Sequence, residues 1–140
     1  MDLERRIKMA KRKSDDRNCL GTALFISGVC NNDGHYYPTL VYDDVLRYLV
    51  TLKKAEVGAI VVLERISRAT GSIEAMHAGV VTSLNPARVV HRNGMHGKLI
   101  LDEDLSRFRR ILDYDRLIYH EYKWSLRYYS SIPRELKPFL

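Results

Sequence analysis

Met76-His77-Ala78-Gly79-Val80-Val81-Thr82-Ser83-Leu84-Asn85-Pro86-Ala87-Arg88-Val89-Val90-His91 is the stretch that decides the fold. Two apolar, β-branched runs, Met76–Thr82 and Ala87–His91, flank the turn region Ser83–Pro86. That is the pattern of an antiparallel hairpin. With Ser83 to Asn85 as the connection, Thr82 faces Pro86 and His77 lies directly opposite His91. Opposed residues point to one face with Cβ atoms about 5 Å apart, so the two imidazoles share a face. A slip of one residue would separate them. Gly79 falls on the same face, where a missing side chain leaves room for a substrate backbone.

Upstream, Asn18-Cys19-Leu20-Gly21-Thr22-Ala23-Leu24-Phe25-Ile26-Ser27-Gly28-Val29 reads as a buried helix that begins at a cysteine. Asn18 suits an N-cap. Leu20, Ala23, Leu24 and Ser27 fall on one face, and Phe25, Ile26 and Val29 widen the apolar surface. Gly28 stands where a helix can stop. A thiol at a helix N-terminus meets the positive end of the macrodipole and unpaired N–H groups, which favour the thiolate and lower its pKa. The same amides can hold an oxyanion. If this helix packs on the imidazole face, Cys19 meets His77 and His91 orients the far side of the His77 ring. Nucleophile, base and orienting group then stand in a row. His35, His96 and His120 are rival third members, with His96 the nearest in sequence to His91.

The rest of the chain fits around these segments. Asp2 to about Lys13 has a helical stripe of Leu3, Ile7 and Ala10, and Ser14–Arg17 is a polar link. Cys30–Thr39, with Asp33-Gly34 and Pro38, is a loop that offers Tyr36 and Tyr37 to a cleft. Tyr42–Val50 has helical spacing. Gly58–Leu63 is an apolar run suited to a strand buried on both faces. Arg65–Ser72 and Arg92–Gly97 are loops, and Lys98–Leu101 is a strand. Asp102 to about Leu112 is a short helix or turn, Asp115–Tyr122 a last strand, and the remainder an irregular tail. Helices first and strands second predict an α+β fold with N-terminal helices packed on a small antiparallel sheet. The 140 residues suffice for a single domain, 1–140.

Composition narrows the class. The chain is 46% hydrophobic and 29% charged, the balance of a soluble globular protein. It has no run of about 18 apolar residues, so no membrane span is expected. Met1–Arg6 lacks an apolar h-region, so no secretory signal is expected and the cytoplasm is the default compartment, with export by another route left open. Cys19 and Cys30 would sit at opposite ends of the predicted helix, roughly 15 Å apart at 1.5 Å per residue, so both thiols are expected free. No closely spaced Cys/His quartet exists, and neither a metal nor an organic cofactor is expected. The net charge of +6 favours an anionic partner. The cluster Lys8–Arg17 is read as a solvated face rather than a nucleic-acid site.

Four segments, in order, resemble the NlpC-type papain-like cysteine peptidases, which cut peptide stems of bacterial cell walls. The resemblance spans about Lys8 to Tyr122. The family's Asp-Cys-Ser-Gly helix start is similar to Asn18-Cys19-Leu20-Gly21, and its Pro-Gly-Asp-Leu-Val-Phe strand to Glu56-Val57-Gly58-Ala59-Ile60-Val61. Its His-Val-Gly-Ile-Tyr strand is similar to His77-Ala78-Gly79-Val80-Val81, and its Phe-Ile-His-Ala strand to Val89-Val90-His91-Arg92. The resemblance implies a papain-like fold, a catalytic triad of Cys19, His77 and His91, a thioester acyl-enzyme and a peptide or muropeptide substrate. The family residues that bind the substrate's free amine are replaced here by Asn18 and Leu20, and its Tyr-x-Trp-Gly-Gly segment is missing. Two alternatives stay open: an acyl-transferring or deamidating relative on the same scaffold, and a non-catalytic basic binding module.

Overall fold

The computed structural model describes residues 2–12, 19–29, 45–92, 98–109 and 121–133. Along the chain run α1 (Leu3–Arg12), α2 (Cys19–Ile26), β1 (Leu49–Leu52), β2 (Ile60–Ser67), β3 (Ile73–Ser83), β4 (Arg88–Arg92), β5 (Leu99–Asp104), α3 (Leu105–Phe108) and β6 (Tyr122–Pro133). The strands form one sheet in the order β1-β6-β2-β3-β4-β5. Every neighbouring pair is antiparallel.

This corrects the expected fold class. The described residues are 26% helical and 48% strand, a six-stranded antiparallel sheet with few short helices rather than a papain-like α+β domain. Two segments make the difference. β6 takes up twelve residues where an irregular tail was expected, and it inserts between β1 and β2. Its Tyr129 pairs with Ile60 on one side and Thr51 on the other. β1 takes the end of the expected Tyr42–Val50 helix: residues 45–47 are helical, but Leu49–Leu52 are strand. Smaller corrections follow the same trend. β2 runs on through Ser67, so the loop after it shrinks to residues 68–72. β5 extends to Asp104, leaving α3 as a single turn. Asp104 caps it by accepting from the Ser106 N–H at 2.9 Å. The expected loop Cys30–Thr39, the link Ser14–Arg17, Asn18 and most of the expected strand Asp115–Tyr122 lie outside the described residues.

Side chains alternate along a strand, so the sheet has two faces. On one, Ile60, Val62, Ala78, Val80 and Val90 pack against Leu20, Ala23, Leu24, Phe25 and Ile26 of α2. On the other, Val61, Leu63, Val81 and Val89 pack against Phe108 of α3. Ile60 through Leu63 are fully buried. Each such side chain contributes roughly 1.5–3 kcal/mol by leaving water, which makes β2 the backbone of both cores.

One arginine ties the two helices together and another ties both to the sheet. Arg6 of α1 donates to the carbonyl of Phe25 at 2.8 Å, at the C-terminal end of α2 where carbonyls lack helical partners. Arg92 of β4, 1% exposed, donates to Thr22 Oγ1 at 2.8 Å and to the Ala10 carbonyl at 3.1 Å. A buried guanidinium is tolerated because its donors are used. α2 stops at Gly28, whose φ of 90° lies in the left-handed region. There Gly28 N–H donates to the Phe25 carbonyl and Val29 N–H to the Leu24 carbonyl, the Schellman pattern.

Candidate active site

The hairpin of β3 and β4 brings the two imidazoles together with a register different from the expected one. Gly79, not His77, is opposite His91, and Ser83 pairs with Arg88. A shift of two residues leaves every side chain on its original face. The rings therefore still meet, on the diagonal: His77 Nε2 lies 2.8 Å from His91 Nδ1, with the rings edge to face. Phe108 stacks on His77 with centroids 5.0 Å apart and meets His91 edge-on. Both imidazoles are buried.

Gly79 corrects a second expectation. A Cβ there would come within 2.8 Å of the Val90 carbonyl oxygen and 3.0 Å of His91 Cβ. The space expected for a substrate backbone is filled by the neighbouring strand. The glycine lets β4 approach closely enough for the histidine pair to form.

Glu103 completes the row. A register shift in the β4–β5 ladder pairs Val89 with Glu103 and His91 with Ile100. It brings Glu103 Oε2 to 3.1 Å from His91 Nε2. A carboxylate only accepts, so Nε2 of His91 carries the proton. With its proton on Nε2, His91 presents Nδ1 as an acceptor, and His77 Nε2–H donates to it. That leaves the lone pair of His77 on Nδ1. One half-buried acid thus fixes the tautomer of a histidine two strands away.

The cysteine helix does not pack on this face. Arg92, the neighbour of His91, points the other way and reaches Thr22 of α2, while the imidazoles lie against Phe108. The sequence placed helix and imidazoles on one side because the hairpin pattern says which residues share a face and not what covers it. Cys19, the first residue of α2, packs with the rest of the helix against the opposite face. The β3–β4 ladder ends at Gly79–His91. One residue beyond, the Ala78 backbone amide favours the Cys19 thiolate, as do those of Leu20 and Cys19 itself. Ala78 is next to His77 in the chain, but its side chain and Cys19 both lie in the core of the α2 face.

Burial governs the charges. It pushes the Cys19 thiol up, and the three amides only partly offset it. This reverses the expected lowering by the helix terminus, because desolvation of a thiolate outweighs a fractional dipole charge. Burial, and then the neighbouring His91, push His77 down to about 4, with Glu103 opposing. At neutral pH the resting pair is thiol and imidazole, both uncharged.

Glu103 and Phe108 were not singled out from the sequence; the acidic run Asp102-Glu103-Asp104 after an apolar strand was the available signal. Cys30, His35, Tyr36, Tyr37, His96 and His120 lie outside the described residues. Among the described residues no group of three or more His, Cys, Asp or Glu could hold a metal ion, and no helix is long and apolar enough to cross a membrane. Comparison with known protein families, curated proteins and solved structures finds no match for this chain.

Proposed function

We propose that this protein is a thiol-dependent hydrolase of amide bonds, with Cys19 as nucleophile, His77 as base, and His91 and Glu103 as the row that orients it. One observation carries the proposal: a buried His77–His91–Glu103 chain leaves the basic lone pair on His77 Nδ1, one residue from the amide that holds the Cys19 sulfur. Buried polar rows cost desolvation unless every member is satisfied, and a base held by an orienting row is what nucleophilic catalysis by a nearby thiol requires.

In the proposed reaction Cys19 Sγ attacks the amide carbon as its proton passes to His77 Nδ1. The resulting imidazolium is held by His91 and, through it, by Glu103. The backbone N–H groups at the start of α2 stabilise the oxyanion. His77 then gives the proton to the leaving nitrogen, the C–N bond breaks and a thioester remains. Water, losing a proton to His77, attacks the thioester. The C–S bond breaks, the sulfur takes the proton back and the acid is released. Since both groups rest uncharged, proton transfer accompanies attack instead of preceding it. The substrate proposed is an anionic peptide, in keeping with the net charge of +6, with cell-wall stem peptides as the first class to try.

The test is to incubate the protein with peptide and muropeptide mixtures, quench in acid and read intact mass. An acyl adduct on Cys19, absent from Cys19→Ala together with product formation, is expected. Product formation that persists in Cys19→Ala would refute the proposal.

A further inference from the structure

One ring lies against both imidazoles. Phe108, 3% exposed, stacks on His77 with the ring planes 26° apart and meets His91 edge-on. It also stands over Gly79, where a Cβ would lie 3.5 Å from Phe108 Cε2. β2 sets Leu63 opposite His77. The titratable groups that bear on His77 are His91 of β4 and Glu103 of β5. Phe108 and Leu63 offer it hydrocarbon only.

A short segment holds this ring in place. Glu103, the last acceptor of the row, stands five residues before Phe108. Between them Asp104 accepts from the Ser106 N–H at 2.9 Å and from the Ser106 hydroxyl at 2.8 Å. Leu105 N–H donates to the Ala87 carbonyl at 3.0 Å, which ties α3 to the connection between β3 and β4. Arg109 N–H closes the turn on the Leu105 carbonyl. One stretch, Glu103 to Phe108, thus brings both the acceptor that ends the row and the ring that lies on it.

Water donates and accepts at either nitrogen of an imidazole, so water in the row would let both histidines exchange tautomers. Hydrocarbon does neither. We infer that Phe108 is a positioning residue for His77: by lying on both imidazoles it keeps the row dry and preserves the proton order that Glu103 sets. Burial is the largest cause holding His77 down to about 4, and Phe108 is part of that burial. The use of Phe108 in catalysis rests on the proposed hydrolysis; the dryness of the row does not.

The test is proton and nitrogen NMR of the two imidazoles in the full chain, with folding followed by circular dichroism. In the unaltered chain at pH 7 the Nε2–H protons of His77 and His91 should be visible, because an N–H shielded from water exchanges slowly. Their absence would overturn the inference. Phe108→Ala should lose both signals and bring the two His77 nitrogen shifts together as tautomers mix. It should also raise the His77 protonation midpoint by at least about one unit toward the ordinary value. Phe108→Leu, which keeps an apolar cover, should hold the midpoint within about half a unit of the unaltered chain. Leu126→Ala, a cut in the same apolar cluster, should lower stability and leave the midpoint in place. A folded Phe108→Ala with an unmoved midpoint would overturn the inference, as would an equal rise in Phe108→Leu or Leu126→Ala. Should Phe108→Ala fail to fold, the Nε2–H signals of the unaltered chain and of Phe108→Leu decide. None of these readouts involves Cys19 or turnover, so failure here and failure of the hydrolysis are told apart.

Discussion

The proton on His77 is placed by a residue it does not touch. Glu103 accepts from His91 Nε2, His91 Nδ1 accepts from His77 Nε2, and the free lone pair ends on His77 Nδ1. Replacing Glu103 with Leu removes the terminal acceptor, so His91 can take either tautomer. We expect a drop in turnover of about tenfold or more, the loss expected when an orienting partner is removed, with substrate affinity little changed. Kinetics and histidine nitrogen shifts on Glu103→Leu check this. The low pKa of His77 also makes stability depend on pH. In the folded state His77 stays neutral down to about 4, whereas the unfolded chain protonates it near 6.5. Between those values the unfolded state binds more protons, so stability is full above about pH 6.5 and falls as pH drops toward 4, by roughly 3 kcal/mol at most. Urea midpoints at pH 7 and pH 5 should differ accordingly, and His77→Gln should flatten the difference. The sequence named Cys19, His77 and His91 from spacing alone. It had the sign of the Cys19 shift reversed, because burial is a property of the packed molecule and not of a helix start.

At the scale of elements, two glycines do different work. Gly79 lets β3 and β4 close together. Gly79→Ala would push a methyl against the Val90 carbonyl and His91 Cβ, and backbone cannot yield as a flexible side chain can. A loss of about 1–3 kcal/mol is expected, the cost of overpacking, with separation of the histidine pair visible in their nitrogen shifts. Gly28 ends α2 in the left-handed region, where a Cβ would meet the Arg6 guanidinium only at ordinary contact distance, 3.8 Å. Gly28→Ala therefore should cost only backbone strain, about 1–2 kcal/mol, and leave any activity intact. Thermal melts of both variants separate the cases. The hairpin was legible because its two runs alternate around a clear turn. Its register was not, since Asn85, at positive φ, and the shift between Val81 and Ser83 lengthen the connection beyond the one expected. A two-residue error was harmless to the faces, which is why the imidazole pair survived it.

Among the described residues the strands form one sheet, and the last of them in the chain is inserted between the edge strand β1 and β2. β6 was missed because Tyr122, Trp124, Leu126 and Tyr128 alternate with Lys123, Ser125, Arg127 and Tyr129 at the end of the chain, where prolines suggested a tail. The period-two pattern was present, but only pairing with β1 and β2 gives its apolar side a core to enter. Ending the chain at Glu121 should therefore abolish cooperative unfolding rather than trim it, since β1 and β2 would both lose their shared neighbour. Circular dichroism through a thermal ramp checks this. The placement of α2 across the sheet from the imidazoles was equally hidden, because it depends on Arg92 reaching Thr22 from a distant part of the chain. What links the two faces is Ala78, whose amide bears on the Cys19 sulfur and which is next to His77 in the chain. Alkylation of Cys19 by iodoacetamide, followed by peptide mass spectrometry at pH 8 in the unaltered chain and in His77→Gln, tests that link most directly. Cys19 in the unaltered chain should react at least about tenfold faster than in the variant, since a positioned base assists loss of the thiol proton. Equal rates in the two proteins would mean that His77 does not act on the sulfur, and would contradict the account.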